Sequence, residues 1–221
     1  MTDTRRSFHH HLDEITADIV HLGALVTEAL PRVTEALLDA DLAAATAVIG
    51  GDDVLDRLSI DIEERCYQLL ATQQPMAGDL RALVTALHLI AELERSGDLA
   101  VTIAKGVHRI RCIPADAKLR GLITDLKDEA LALLRTAVDA YVDHDDAQAA
   151  ALDQLDDRLD AVHRDYIARV LEVCRSGALD VQSAVQLALV GRYYERIGDH
   201  AVNIGERVRY LVSGWLPLVP E

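Results

Sequence analysis

Glu94-Arg95-Ser96-Gly97-Asp98-Leu99-Ala100-Val101-Thr102-Ile103-Ala104 is followed, 101 positions later, by Glu195-Arg196-Ile197-Gly198-Asp199-His200-Ala201-Val202-Asn203-Ile204-Gly205. In a chain of 221 residues that offset is nearly half the length. A second pair keeps the same register: Asp52 and Asp56 followed by Arg57-Leu58, against Asp153 and Asp157 followed by Arg158-Leu159. Self-similarity at one fixed offset marks two copies of one structural unit. Every acidic pair is spaced i,i+4, which puts both carboxylates on one face of a helix.

The spacing of breakers around this repeat predicts six helical segments. The first runs over about 7–49, with Leu12, Ile15, Ile19, Leu22 and Val26 at helical intervals and Pro31 expected to kink or split it. Gly50-Gly51 ends it, and Asp52 or Asp53 is placed to cap a second helix over 52–73. Pro75 to Gly78 turns the chain into a third, capped by Asp79 and reaching about Arg111. The second half follows suit, with helices over about 116–143, 147–174 and, capped by Asp180, to Val212. Aromatics are only 4% of the residues, and no useful stretch alternates with period two. The fold class expected is all-α: two tandem antiparallel three-helix bundles over 1–112 and 116–214, with 215–221 as a tail.

A net charge of −15 argues against a nucleic-acid surface and against a general phosphate-binding one. It suits cations or basic partners. Cys66, Cys112 and Cys174 are scattered and odd in number, which reads as a reducing, cytoplasmic setting. No secretory signal is visible, and no apolar run approaches the ~20 residues of a membrane span. Any membrane contact is expected through a partner, peripherally.

The seam Leu80, Val84, Leu87, Ala91, Glu94, Asp98, Val101 on the third helix, and Val181, Val185, Ala188, Arg192, Glu195, Asp199, Val202 on the sixth, reads as the core stripe. Carboxylates in such a stripe require a cation, an arginine or a proton. Asp52 and Asp56 flank the buried Leu55, Leu58, Ile62, Leu69 side of the second helix. The first candidate site is therefore Asp52, Asp56, Glu94 and Asp98, and the second Asp153, Asp157, Glu195 and Asp199, with Asp160 a turn further on. Hard oxygen donors suit magnesium, calcium, manganese or oxidised iron, and zinc also fits. An interhelical ion-pair network, with Arg95 and Arg196 neutralising the glutamates, remains the competing reading. Gly97 and Gly198 point to close helix approach, and Thr102 and Asn203 to side-chain hydrogen bonds or an added ligand. His9-His10-His11 reads as a solvated face, His88 as an interior or interface histidine, and His200 as pointing away from the site. No Glu-x-x-His, P-loop or Gly-x-Ser-x-Gly motif occurs, so no enzyme is expected.

Glu94-Arg95-x-Gly97-Asp98 and Glu195-Arg196-x-Gly198-Asp199, each on the last helix of a unit, together with Gln74-Pro75-Met76-Ala77-Gly78-Asp79-Leu80-Arg81, resemble the PhoU family over about residues 8–213. The resemblance implies a cytoplasmic negative regulator of phosphate uptake and phosphate-starvation signalling. It would act as an adaptor between the phosphate ABC transporter and a sensor histidine kinase. It also implies divalent or trivalent metal ions (iron, zinc, manganese or magnesium) held by the eight carboxylates named above. A homodimer is expected. Ser59 in place of Asp160, and Thr102 in place of Asn203, depart from the pattern in the first half. The alternatives are a carboxylate-bridged metalloenzyme, such as an iron oxidase, and a metal-free helical scaffold.

Overall fold

The computed structural model describes residues 2–110 and 113–215, with side chains from Arg5 onward. These residues form eight helices and no strand: α1 (Thr2–Asp39), α2 (Leu42–Gly50), α3 (Asp52–Gln73), α4 (Gly78–Val107), α5 (Ala117–Asp143), α6 (Asp146–Ala150), α7 (Leu152–Arg175) and α8 (Val181–Ser213). Helices α1, α3 and α4 pack on one another, as do α5, α7 and α8. The short α2 and α6 lead into α3 and α7. The expected all-α duplication is therefore what the chain adopts. Arg111 and Cys112, and the tail beyond Trp215, lie outside the described residues.

The two halves share one broad interface. The most extensive packing in the molecule is between α4 and α8, and α1 also lies against α5. Helices α4 and α8 run antiparallel. Arg81 near the start of α4 donates to the Leu211 carbonyl near the end of α8 (3.4 Å), and mid-helix Glu92 meets His200 (2.7 Å). Across the α1–α8 contact the buried Thr34 and Tyr194 hydroxyls hydrogen-bond at 2.6 Å. Fully buried Ile15, Ile19, Leu22, Leu30, Leu83, Leu93 and Ile103 fill the first half. Tyr166, Leu133, Leu134, Leu187 and Ile204 do so in the second.

Several local expectations are corrected. Helix α1 passes through Pro31 without ending; the buried residues around it, Leu30, Val33 and Leu37, hold the helix despite the missing amide. The break falls instead at Ala40, in the left-handed region (φ 53°), and Asp41 caps α2 by accepting from the amides of Ala43 and Ala44. The second half breaks the same way at His144 (φ 51°), with Asp145 capping α6. Asp79 is not a cap: Ala77 holds that position and Asp79 sits in the first turn, where His9 lies 3.3 Å away. Nor do Asp52 and Asp53 cap α3, whose N-cap is Gly51. Asp180 does cap α8, accepting from the Ser183 amide.

The predicted core stripes lie at the edge of the true ones. Leu80, Val181 and Val185 are exposed. The buried line on α4 runs through Leu83, Ala86, Ile90, Leu93, Gly97, Ala100 and Ala104, and on α8 through Leu187, Val190, Tyr194, Ile197, Ala201, Ile204 and Val208. Both helices are covered by neighbours from their own half and from the other, which widens the buried arc beyond one stripe. Glu94 and Glu195 therefore stand on the shoulder of the core, half-buried, and Asp98 and Asp199 are exposed.

Candidate functional site

Two glycines set the distance between the helices that carry the acids. A Cβ on Gly97 of α4 would lie 2.6 Å from Leu55 Cδ1 of α3, and one on Gly198 of α8 would lie 2.5 Å from Leu159 Cδ2 and 2.7 Å from Asp156 Oδ1 of α7. The missing side chain lets the paired helices close until the carboxylate faces meet. Close approach by a neighbouring helix is thus the reason for glycine at both positions.

In the first half the structure gathers all four expected acids. Burial, then the Asp56 and Asp98 carboxylates, push the Asp52 carboxyl above its usual range. Burial, then Asp98 and Asp56, do the same to Glu94, with Arg95 pulling the other way. Arg95 lies nearer a different glutamate, 3.7 Å from Glu92. Among the described residues no lysine, arginine or histidine forms an ion pair with Asp52, Asp56, Glu94 or Asp98. The ion-pair reading therefore does not account for this cluster.

The second half is more crowded. Asp156, which the repeat comparison passes over because its counterpart is the apolar Leu55, becomes the centre of the cluster. Burial, and then Asp160, Asp199, Asp157 and Asp153 in that order, push its carboxyl up to about 6. Its Oδ1 is buried and meets no hydrogen-bond partner. Asp153, Asp157 and Asp199 are thus brought together as expected, with Asp156 and Asp160 added. Glu195 differs from Glu94 in being ion-paired with Arg192 one turn back on α8. A carboxylate three residues after Asp153, at a position that is buried apolar in the other copy, was the sequence signal for Asp156.

Other candidates take different places. Asn203 donates its amide to Glu92 (3.1 Å), and Thr102 donates to the Asp98 backbone carbonyl (2.8 Å), so both are spent on hydrogen bonds. His200 is buried against Glu92, away from Asp199's cluster. Burial opposes ionisation of Glu92, but hydrogen bonds from His200 and Asn203 outweigh it and hold the carboxyl below its usual range. His88 is exposed rather than interior, and burial together with nearby Arg207 lowers its pKa. His9, His10 and His11 are exposed.

The donor set of each cluster is hard oxygens without a thiolate, with the His163 imidazole adjoining Asp160 in the second, and it fits a hard cation. The unpartnered Asp156 oxygen fits one as well. Among the described residues, however, no three His, Cys, Asp or Glu side chains are disposed to hold one metal ion as they lie. No helix is long and apolar enough to cross a membrane.

The PhoU domain matches this chain twice, over residues 19–107 and 123–208. The chain is 36% identical over 220 residues to the phosphate-specific transport system accessory protein PhoU homolog 1 of Mycobacterium tuberculosis, covering 98% of each. In three dimensions it is similar to the crystal structure of PhoU from Pseudomonas aeruginosa (TM-score 0.84, 26% identity, 94% of this chain and all of that one). It is also similar to the phosphate transport system regulatory protein PhoU from Streptococcus pneumoniae (TM-score 0.86, 26% identity, 96% of this chain and all of that one). With the duplicated helices, the paired acids and the close-packed glycines all recurring in register, the chain belongs to the PhoU family.

Proposed function

We propose that this protein is a phosphate-transport accessory protein: a non-catalytic cytoplasmic regulator that holds phosphate-starvation signalling off by coupling the phosphate ABC transporter to a sensor histidine kinase. The observation that carries the reading is the match to PhoU accessory proteins along virtually the whole chain. Chemistry supports it in one respect. A chain of net charge −15 with acids clustered on its helical faces is poorly suited to bind phosphate itself, and better suited to read a transporter's state through protein contacts. Deletion of the gene should raise expression of phosphate-starvation genes in phosphate-rich medium. Unchanged expression, in a strain lacking any second copy of the family, would overturn the regulatory assignment.

The two carboxylate clusters are proposed as sites for divalent or trivalent metal ions. Asp52, Asp56, Glu94 and Asp98 would hold an ion in the first half; Asp153, Asp156, Asp157, Asp160, Glu195 and Asp199 would do so in the second. A bound cation would offset the burial, and after it the mutual repulsion, that raise the pKa values of Asp52, Glu94 and Asp156. Occupancy requires the side chains to turn toward a shared point. Because a ligand that binds only the folded state stabilises it, a chelator should lower the Tm of protein purified without metal-affinity steps. The double change Glu195→Gln with Asp199→Asn should shrink that response, and an identical chelator response in variant and parent would remove the second site. The protein is further proposed to be a homodimer, checked by sedimentation equilibrium.

A further inference from the structure

Between α3 and α4, on the outer side of the first half, runs an open groove of about 360 Å³. Its floor is apolar, formed by Leu87, Ile90 and Ala91, and its rim carries the acids Asp56, Glu63 and Glu94 and the exposed Ile60. Ser59 also lines it. That side chain is only 7% exposed, and its hydroxyl has no hydrogen-bond partner, not even the backbone carbonyl one turn back that helical serines commonly use. A buried hydroxyl left unpaired costs free energy, so its presence on the groove wall points to a polar group arriving from outside. The acids are also open to a newcomer. Glu63 accepts only the Tyr67 hydroxyl (2.6 Å), and among the described residues no basic side chain forms an ion pair with Asp56, Glu63 or Glu94.

Three carboxylates, one spare hydroxyl and an apolar floor are complementary to a cation on an aliphatic stem. An ammonium group has three donors to share between Glu94 and Asp56 and, once the Ser59 side chain turns outward, the Ser59 oxygen, while its methylene stem lies on Leu87 and Ile90. We propose that this groove receives a lysine or arginine side chain from a basic amphipathic segment of a partner protein. The surroundings favour a protein over a free small cation. On α3 the large side chains of Ile60 and Tyr67, 54% and 53% exposed, stand two helical turns apart and extend the apolar edge along the groove. A partner helix would cover that edge, laying apolar side chains along it while its cation enters the groove. Asp56 and Glu94 also belong to the proposed first metal site, so a metal ion and the basic segment would exclude each other there.

This inference rests on the accessory reading only in taking the occupant to be a protein, and its test is independent of phosphate signalling and of metal. Amide chemical shifts of the full chain are followed in chelator-containing buffer with n-hexylamine, with hexanoate, and with a stapled amphipathic helix whose apolar face carries one lysine. The amine should shift Ser59, Ile60 and Glu94 saturably with a millimolar Kd, and hexanoate should not. The peptide should bind at least tenfold tighter than the amine. Glu63→Gln with Glu94→Gln should weaken both cations about tenfold, Ser59→Ala a few-fold, and Asp153→Asn with Asp157→Asn should leave both unchanged. No saturable shift at the groove, or an equal loss from the second-half pair, would overturn the proposal. Spermidine binding more tightly than the peptide would overturn it too, by assigning the groove to a free polyamine. A chelator-sensitive Tm alongside a silent groove would sink this inference and leave the metal reading standing.

Discussion

The two halves share one backbone plan and differ at a few positions that decide its electrostatics. At the place where α3 crosses Gly97 the first half has Leu55, 7% exposed, and where α7 crosses Gly198 the second half has Asp156. Ser59 and Asp160 correspond, as do Ala91 and Arg192, Leu99 and His200, and Thr102 and Asn203. The first half therefore keeps an apolar contact under four acids, with Lys105 and Arg95 near enough to act on Asp52 and Glu94 but not ion-paired with them among the described residues. The second half places five acids together on α7 and at Asp199, and sets Arg192 against Glu195. A duplication retains the close helix approach because packing requires it, while the charges placed on it are free to diverge.

Exchanging residues between the copies tests whether these positions carry the difference. The largest effect is expected from Leu55→Asp. It removes a buried apolar side chain and adds a charge beside Asp52, Asp56 and Asp98, a destabilisation of ~3–5 kcal/mol. For a chain of this size that corresponds to a Tm drop of roughly 10 °C or more by calorimetry in chelator. A drop no larger than that of Leu55→Ala would mean that the first half tolerates a fifth acid without penalty. Next is His200→Leu, which imports the residue at position 99. Glu92 would keep Asn203 and lose its closest partner across the α4–α8 interface, costing about 1–3 kcal/mol. If Tm stays the same, the histidine is not what holds Glu92.

The elements most legible in the sequence are those bounded by glycine and proline, the residues least favourable inside a helix. Helix α3 has the limits its sequence predicts because glycine's backbone freedom makes Gly50-Gly51 costly to hold in one continuous helix and Pro75 biases Gln74 out of the right-handed helical region. The α1–α2 break is not legible, since a left-handed alanine at position 40 has no glycine to announce it and Pro31 points to a break nine residues earlier. The acid pairs were legible through their exact recurrence, and for the same reason Asp156 was not: a search for what the copies share discards what they do not. The core stripes of α4 and α8 were misplaced by about one position. Their burial is set by helices of the other half, and intrahelical spacing carries no record of which neighbour will cover which side.

The reverse exchange, Asp156→Leu, should stabilise the metal-free protein. A leucine there would lie beside Leu159 against Gly198, and a crowded charge would vanish. The sign follows from the raised pKa. The folded state binds the Asp156 proton more tightly than the unfolded state, so the residue's cost is full above pH 6 and is relieved as pH falls from about 6 toward 4. The variant should therefore gain ~1 kcal/mol, about 2–4 °C in Tm, at pH 7.5 and progressively less at lower pH. A gain that is equal at pH 7.5 and pH 4 would assign the effect to packing rather than to charge. Metal added at pH 7.5 should stabilise the parent more than the variant, which has one oxygen ligand fewer.

The smallest effect on stability belongs to Arg192→Ala, which gives the second half the residue found at position 91. The Arg192–Glu195 pair lies between adjacent turns of one helix, with the arginine half exposed, and pairs of this kind contribute under ~1 kcal/mol. Its consequence is expected in binding instead. In the parent, a cation approaching Glu195 must displace a guanidinium that already compensates it; in the variant that competitor is gone, and the Glu195 oxygen stands as unpaired as Glu94 does. Calorimetric titration with manganese should show tighter binding to Arg192→Ala than to the parent, with the gap narrowing as added salt screens the arginine. Equal affinities at all salt concentrations would mean that Glu195 takes no part in holding the ion, and that the second cluster is built on α7 and Asp199 alone.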